Sequence, residues 1–126
     1  RPALAAAREV GLADPLPLRY AERRDRTKED RLTQLFVPDY QGTAVWTSLG
    51  AMYLRLLQRA DPDAARPVVA AYRRLIERDR TVREVYDGQA QDLAPYRGTF
   101  GIFLADEAML WGAILAEAFE AEPAAP

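Results

Sequence analysis

Apolar side chains recur at three- and four-residue steps in the middle of the 126-residue chain, beginning a few residues after Tyr40. This spacing places them on one face of a helix, so the pattern predicts a helix over residues 43–59. Gly50 lies inside this segment, where a glycine costs about 1 kcal/mol relative to alanine. We therefore expect Gly50 to make a close contact with a neighbouring helix. The predicted apolar face consists of Val45, Trp46, Leu49, Met52, Tyr53, Leu56, Leu57 and Ala60.

The same periodicity predicts two more helices, over residues 67–78 and 102–120. Pro67 is expected to start or kink the first of these, because a proline inside a helix removes a hydrogen bond. The second is apolar on nearly all sides, so it needs cover from more than one direction. Asp106 and Glu107 fall in its first turn, where the helix dipole favours negative charge.

The remaining segments differ in character. Residues 2–9 are compatible with a short helix, whereas residues 32–37 are too few to separate a helical turn from an extended piece. Residues 19–31 are densely charged with almost no apolar content, which predicts a solvated loop. Residues 80–101 break the helical pattern with a strand-like stretch, an Asp-Gly turn and a proline. A loop of this length in a compact domain is often functional.

Together the segments predict an all-α fold of antiparallel helical hairpins, with residues 1–126 forming a single segment. A short connection lies near Asp61, and long connections precede the first and last of the three main helices. Neighbouring helices run in opposite directions, so alternating short and long connections bring both long loops to the same end. Residues 40–46 and 84–87 are therefore expected on one rim.

The composition limits the chemistry available at that rim. The chain has no histidine and no cysteine, which removes Ser-His-Asp and Cys-His catalysis and the commonest metal ligand. Lys28 is the single lysine and lies within the charged segment. Carboxylates are therefore the realistic acid–base groups, and we expect neither a metal ion nor a cofactor.

Charge and hydropathy also argue against several kinds of partner. The net charge is −2 and both signs are interspersed, so there is no electrostatic footprint for nucleic acid or an anionic membrane. No apolar run approaches the roughly 18 residues needed to span a bilayer. The N-terminal residues do not have the pattern of a secretory signal peptide. These features predict a cytoplasmic protein with no nucleic-acid or membrane partner.

The sequence Tyr-Gln-Gly-Thr-Ala-Val-Trp at residues 40–46 resembles an element found late in α-toroid glycoside hydrolases. The amylo-α-1,6-glucosidase domains of glycogen-debranching enzymes are the members it resembles most. Glu-Val-Tyr-Asp-Gly at residues 84–88 and Tyr-Arg-Gly-Thr at residues 96–99 are similar to later elements of that family. The resemblance covers residues 39–120. It implies an (α/α)6 toroid, of which this chain is expected to be the C-terminal portion.

The resemblance also implies roles for individual residues. The family's late glutamate, matched here by Glu84, is the general base, and its general acid lies upstream of anything in this chain. Inverting enzymes hold the two carboxylates about 6.5 to 9.5 Å apart to admit a water molecule. The expected activity is hydrolysis of a glucan or oligosaccharide with inversion. The expected substrate-binding residues are Tyr40, Gln41, Trp46, Tyr86 and Arg97.

Each of these assignments has a structural alternative. Glu84 is also compatible with a surface glutamate paired with Arg83, a contact worth well under 1 kcal/mol. Trp46 fits the apolar face of the predicted helix and Arg97 fits an exposed loop. Glu107 is a second candidate for the carboxylate role.

The chain as a whole is compatible with two other functions. One is a non-enzymatic helical interaction domain, in which the two loops do not converge. The other is a toroidal sugar isomerase or phosphorylase. In the favoured interpretation the partners are a carbohydrate substrate and either the remainder of the toroid or another copy of the chain.

Overall fold

The computed structural model describes residues 2–22, 31–89, 92–101, 107 and 109–120. This part of the chain is mostly helical, as the sequence predicts, and it also contains a small two-stranded sheet. None of its helices is long and apolar enough to cross a membrane. The elements are α1 (Pro2–Glu9), α2 (Arg31–Phe36), β1 (Val45–Trp46), α3 (Thr47–Ala60), α4 (Pro62–Asp79), β2 (Val85–Tyr86) and α5 (Met109–Glu120), with a short 3-10 turn at Thr99–Gly101.

The central helix begins four residues later than predicted, at Thr47 rather than residue 43. The reason is that Val45 and Trp46 form a strand instead of the first helical turn. Branched and aromatic residues suit extended backbone, and here the strand gains hydrogen bonds from its neighbours that a helical turn would not make. The apolar periodicity therefore continues through a change of secondary structure.

Helix α4 begins at Pro62, so the predicted start at Pro67 is wrong. The Asp61 side chain caps the helix by accepting a hydrogen bond from the backbone nitrogen of Ala64 at 3.0 Å. Proline fits the first helical position that follows such a cap. Pro67 lies inside the helix, where it removes the hydrogen bond to the carbonyl of Asp63. Both residues are exposed, so water can bond that carbonyl instead.

The last helix is described from Met109 onward, and residues 102–106 and 108 of the predicted helix, Asp106 among them, lie outside the described residues. Glu107 forms an isolated antiparallel bridge with Arg83 rather than part of a helical turn, so its predicted placement is wrong. Backbone pairing with the segment before β2 decides its conformation. Leu115 and Ala118 are buried, whereas Leu110 is 67% exposed. The described chain thus covers α5 on one side only.

The core lies where α3 and α4 pack together as a hairpin, with α5 against α3. Tyr72 of α4 is buried in this core, and its hydroxyl donates to the carbonyl of Pro17. Gly50 of α3 lies directly against the same pair of groups. A Cβ atom added to Gly50 would sit 1.7 Å from the Tyr72 hydroxyl oxygen and 2.3 Å from the Pro17 carbonyl oxygen. The close helix contact predicted for Gly50 is confirmed.

The two strands are antiparallel, with Val45 opposite Tyr86 and Trp46 opposite Val85. Extended segments flank them on both sides. On one side, the backbone nitrogen of Tyr20 donates to the carbonyl of Ala44 at 3.0 Å. On the other, the backbone nitrogen of Tyr96 donates to the carbonyl of Val85 at 3.0 Å. We call this arrangement of residues 18–21, 42–46, 84–87 and 94–96 the small sheet.

Stability is expected to fall above about pH 10, because burial raises the pKa of both Tyr72 and Tyr86 above their ordinary value. Unfolded tyrosines lose their proton near pH 10, whereas these two keep theirs in the folded chain. The unfolded state therefore becomes more stable relative to the folded state as the pH rises. Each group then lowers the free energy of unfolding by up to about 1.4 kcal/mol per pH unit. Urea titrations from pH 8 to 11.5 measure this slope.

The variant Tyr72→Phe separates this effect from general alkaline instability. It leaves the Pro17 carbonyl without its donor, so it is expected to be less stable at pH 8. Its loss of stability between pH 10 and 11.5 is nevertheless expected to be shallower, because one of the two titrating groups is gone. An equal slope in both proteins contradicts the assignment to Tyr72.

Candidate functional site

The small sheet places the two predicted site loops side by side, as the alternation of connections predicts. Glu84 directly precedes β2 and is partly exposed. The Tyr40 hydroxyl lies 3.5 Å from Oε2 of Glu84 and donates a long hydrogen bond to it. The carboxylate is therefore held between solvent and an aromatic ring contributed by the other loop.

The backbone around Glu84 is fixed to the start of α3. The carbonyl of Glu84 accepts a hydrogen bond from the backbone nitrogen of Thr47 at 2.9 Å. The carbonyl of Arg83 accepts from the Thr47 hydroxyl at 2.5 Å. Thr47 itself is fully buried, so these bonds are shielded from water. Such an anchor limits how far the Glu84 side chain can shift.

Tyr40 belongs to an aromatic cluster that also contains Tyr20, Trp46 and Tyr96. The Tyr40 ring lies 4.7 Å from that of Trp46 and 5.2 Å from that of Tyr96, measured between centroids. The Trp46 indole nitrogen donates to the carbonyl of Tyr40 at 2.9 Å, which fixes the indole orientation. The Tyr96 hydroxyl donates to the carbonyl of Pro38 at 2.5 Å. The Tyr20 ring lies 5.8 Å from that of Trp46.

The structure thus brings together three of the predicted site residues, Tyr40, Trp46 and Glu84. The other predicted site residues do not join this group. Tyr86 is 1% exposed and belongs to the main core, so its ring has no free surface for a substrate and that role is corrected. Its hydroxyl faces inward, where it accepts a bond from the Arg83 backbone nitrogen at 3.4 Å. Gln41 and Arg97 are exposed on the loops. Within the described residues, Arg97 makes no ion pair with Glu84.

A polar clamp of Asp39, Thr43 and Gln89 joins the two loops. The Asp39 carboxylate accepts from the backbone nitrogen of Thr43 at 3.1 Å and from its hydroxyl at 2.5 Å. The Gln89 side-chain nitrogen reaches across to the Thr43 hydroxyl at 3.1 Å and to the Asp39 carboxylate at 3.3 Å. These groups satisfy one another, so the clamp holds the two loops together.

The loop that carries Tyr96 is also tied to the end of α4. The Arg78 guanidinium donates to the carbonyls of Asp92 at 2.5 Å and Leu93 at 3.0 Å. It also donates twice to the neighbouring Asp79 carboxylate, at 2.7 and 2.8 Å. The hydrogen bond that Arg78 donates to Asp79 raises the pKa of Arg78, against an opposing effect of desolvation. Arg78 therefore stays charged and keeps the loop attached.

Sequence reasoning missed Tyr20, which it assigned to the solvated loop of residues 19–31. Residues 19–21 instead pair with β1: the Ala21 nitrogen donates to the Gly42 carbonyl at 2.8 Å, and the Arg19 guanidinium reaches the Gly88 carbonyl at 3.2 Å. Residues 23–30 of that segment lie outside the described residues. The one signal that the sequence offers for Tyr20 is an aromatic residue within an otherwise charged segment.

A separate groove of about 440 Å³ lies between α1 and the turn that joins α3 to α4. Arg8 spans it, with its Nε donating to the Tyr53 hydroxyl at 3.2 Å. None of the predicted site residues lines the groove. The lining residues are Leu4, Ala5, Arg8, Leu57, Ala60, Asp61 and Pro62.

The part of the chain that the structure describes contains no group of three or more carboxylates able to hold a metal ion. Comparison with known protein families, curated proteins and solved structures gave no match to this chain.

Proposed function

We propose that this chain is the carbohydrate-active C-terminal portion of an (α/α)6-toroid glycoside hydrolase, in which Glu84 is the general base. The observation that carries the proposal is the position of Glu84, whose carboxylate lies 3.5 Å from the Tyr40 hydroxyl beside a cluster of aromatic rings. Sugar hydrolysis needs a carboxylate that water can reach next to a surface that holds a sugar ring. A partly exposed carboxylate beside aromatic rings on one rim supports the proposal.

In the proposed reaction, Glu84 takes a proton from a water molecule as that water attacks the anomeric carbon. The bond to the leaving-group oxygen breaks, and a second carboxylic acid protonates that oxygen. An inverting enzyme holds the two carboxyl groups about 6.5 to 9.5 Å apart. The second group is assigned to the remainder of the toroid or to another copy of the chain. The Tyr40 hydroxyl orients the Glu84 carboxylate, and Trp46 packs behind Tyr40.

Two exposed residues complete the proposed site, and the partner proposal has support of its own. Gln41 and Arg97 are exposed on the two loops, where they are available to hydrogen-bond sugar hydroxyls.

Helix α5 is covered on one side only by the described chain, with Leu110 67% exposed. A further helical hairpin of a toroid is the kind of element that covers such a face.

The variant Glu84→Gln tests the proposal directly. It keeps the size and hydrogen-bonding ability of the side chain but removes the base, so turnover is expected to fall about 100- to 10,000-fold. The assay measures reducing sugar released from α- and β-linked glucans by the longest natural polypeptide that contains residues 1–126. Thermal melting is expected to be unchanged.

The matched control is Glu77→Gln, which neutralises an exposed glutamate on the outer face of α4. It is expected to retain wild-type turnover. Equal turnover of Glu84→Gln and wild type would remove Glu84 from the reaction. Turnover that requires inorganic phosphate would assign a phosphorylase instead of a hydrolase.

A further inference from the structure

Tyr20 is held at the site by backbone pairing, although it lies in a charged stretch of the sequence. Its backbone nitrogen donates to the carbonyl of Ala44, and the nitrogen of Ala21 donates to the carbonyl of Gly42. These bonds place residue 20 beside β1 in the small sheet. The Tyr20 side chain is 51% exposed, so much of its ring is available to a ligand. A fixed backbone with an exposed ring forms a ready-made contact surface.

The ring of Tyr20 is connected to Glu84 by a succession of contacts through Trp46 and Tyr40, which we call the row. Tyr40 touches the carboxylate, Trp46 lies 4.7 Å from Tyr40, and Tyr20 lies 5.8 Å from Trp46. Each centroid spacing is comparable to the size of one hexose ring. Tyr20 is therefore two ring contacts removed from Glu84's neighbour Tyr40, and the successive rings are tilted by 60° and 47° to one another.

Aromatic rings suit this task because their faces are apolar and carry negative charge density. The C–H faces of a pyranose are apolar with slightly positive hydrogens, so they pack on such rings. Tyrosine adds a hydroxyl that can bond a sugar hydroxyl at the edge of the contact. A ring ordered by its backbone also loses little freedom on binding.

We propose that Tyr20 is the platform for a second sugar ring, next to the one that Glu84 and Tyr40 contact. This inference rests on the proposed function and narrows its substrate class. The ligand is an oligosaccharide or polysaccharide whose chain extends along the row from Tyr40 to Tyr20. A single hexose, or a hexose on a small leaving group, reaches only the first part of the row.

The test is calorimetric binding of linear sugars of two to five units to the Glu84→Gln variant, which binds without turnover. Maltose to maltopentaose, the isomaltose series and the cellobiose series are the probes. In the series that binds, the Kd is expected to decrease with chain length. Tyr20→Ala is expected to raise the Kd of the longer ligands about tenfold, which corresponds to about 1.4 kcal/mol. The Kd of the shortest ligand is expected to stay nearly the same.

Two further variants keep the outcome interpretable. Tyr20→Trp retains an aromatic face and is expected to restore length-dependent binding, which a purely structural role for Tyr20 does not predict. Glu77→Gln changes an exposed side chain on the outer face of α4 and is expected to leave every Kd unchanged. Circular dichroism checks that each variant is folded.

The inference is overturned if Tyr20→Ala binds all chain lengths as tightly as its parent, if it weakens short and long ligands equally, or if no sugar series binds. These results are distinct from failure of the proposed function, which is judged by turnover of wild type against Glu84→Gln. If hydrolysis depends on Glu84 but sugar binding is unchanged by Tyr20→Ala, the proposed function stands and the second sugar site at Tyr20 is wrong.

Discussion

Alanine in place of Gly50 is expected to lower the free energy of unfolding by about 3 kcal/mol, near the upper end of the usual cost of overpacking a core. In isolation the change would favour a helix by about 1 kcal/mol, because alanine is the better helix former. The groups around Gly50 make the substitution destabilising instead. The new methyl group would lie 1.7 Å from the Tyr72 hydroxyl oxygen and 2.3 Å from the Pro17 carbonyl oxygen.

Relief of this clash requires movement of backbone as well as side chain. Tyr72→Phe removes the hydroxyl, but the ring atom that bore it would still be 2.9 Å from the new methyl group, and the Pro17 carbonyl remains. The double variant Gly50→Ala/Tyr72→Phe is therefore expected to recover only part of the lost stability. Urea denaturation followed by far-ultraviolet circular dichroism measures all three proteins.

Gly112→Ala is the matched control because Gly112 is also a helical glycine, on α5. A Cβ atom there meets a methyl carbon of Val82 at 3.3 Å, and a flexible side chain can shift by a few tenths of an ångström. Its effect is expected to be within about 0.5 kcal/mol, typical of substitutions away from strained positions. Equal melting of Gly50→Ala and wild type would mean that α3 and α4 do not approach each other at this point.

Gly50 also illustrates what the sequence can disclose about the fold. A glycine in a strongly periodic helix is unfavourable on its own, so its presence indicated a close neighbour. The periodicity of α3 and α4 was equally readable, because many residues contribute to it. The first residues of both helices differ from the prediction, since pairing of Val45 and Trp46 with β2 and capping by Asp61 decide where the helices begin.

The site was harder to read because its strands are only two residues long. Alternation between buried and exposed positions needs more residues than that to become visible. The resemblance implies a substrate-binding role for Tyr86, whereas both residues of β2 are buried. Sequence patterns also do not show that Tyr20, distant in sequence, pairs with Ala44 next to β1. Glu84 and Tyr40 were paired through the order of the loops and a resemblance, not through any local pattern.

The polar clamp was also outside the reach of local patterns. Asp39 has a left-handed backbone with φ of 63°, a conformation in which aspartate is over-represented. That tendency alone does not show where its carboxylate points. The bond to Thr43 closes a turn between positions 4 residues apart, whereas the bond to Gln89 joins positions 50 residues apart and therefore depends on the tertiary fold.

The second large effect is expected at Gly88, where the two site loops meet. A Cβ atom at this position would lie 2.1 Å from the carbonyl oxygen of Thr43, a backbone atom held by the small sheet. Gly88→Ala is therefore expected to push the loops apart and to destabilise the protein by about 2 to 3 kcal/mol. It should also separate Glu84 from Tyr40, so any activity or sugar binding is lost with the stability.

Two comparisons isolate the backbone clash at Gly88 from the loss of hydrogen bonds. Gln89→Ala removes both clamp bonds of Gln89 without adding bulk and is expected to cost only about 1 kcal/mol. Gly42→Ala would bring a methyl group 1.9 Å from the Asp39 carboxylate oxygen, but that side chain can rotate away. The expected loss of stability is largest for Gly88→Ala, smaller for Gly42→Ala and smallest for Gln89→Ala.

Trp46 fluorescence reports on the site when it is measured in a Trp111→Phe background, because these are the two tryptophans in the chain. A Gly88→Ala protein with wild-type stability and an unchanged Trp46 spectrum would show that the loops are not in contact, and the proposed site would lose its basis.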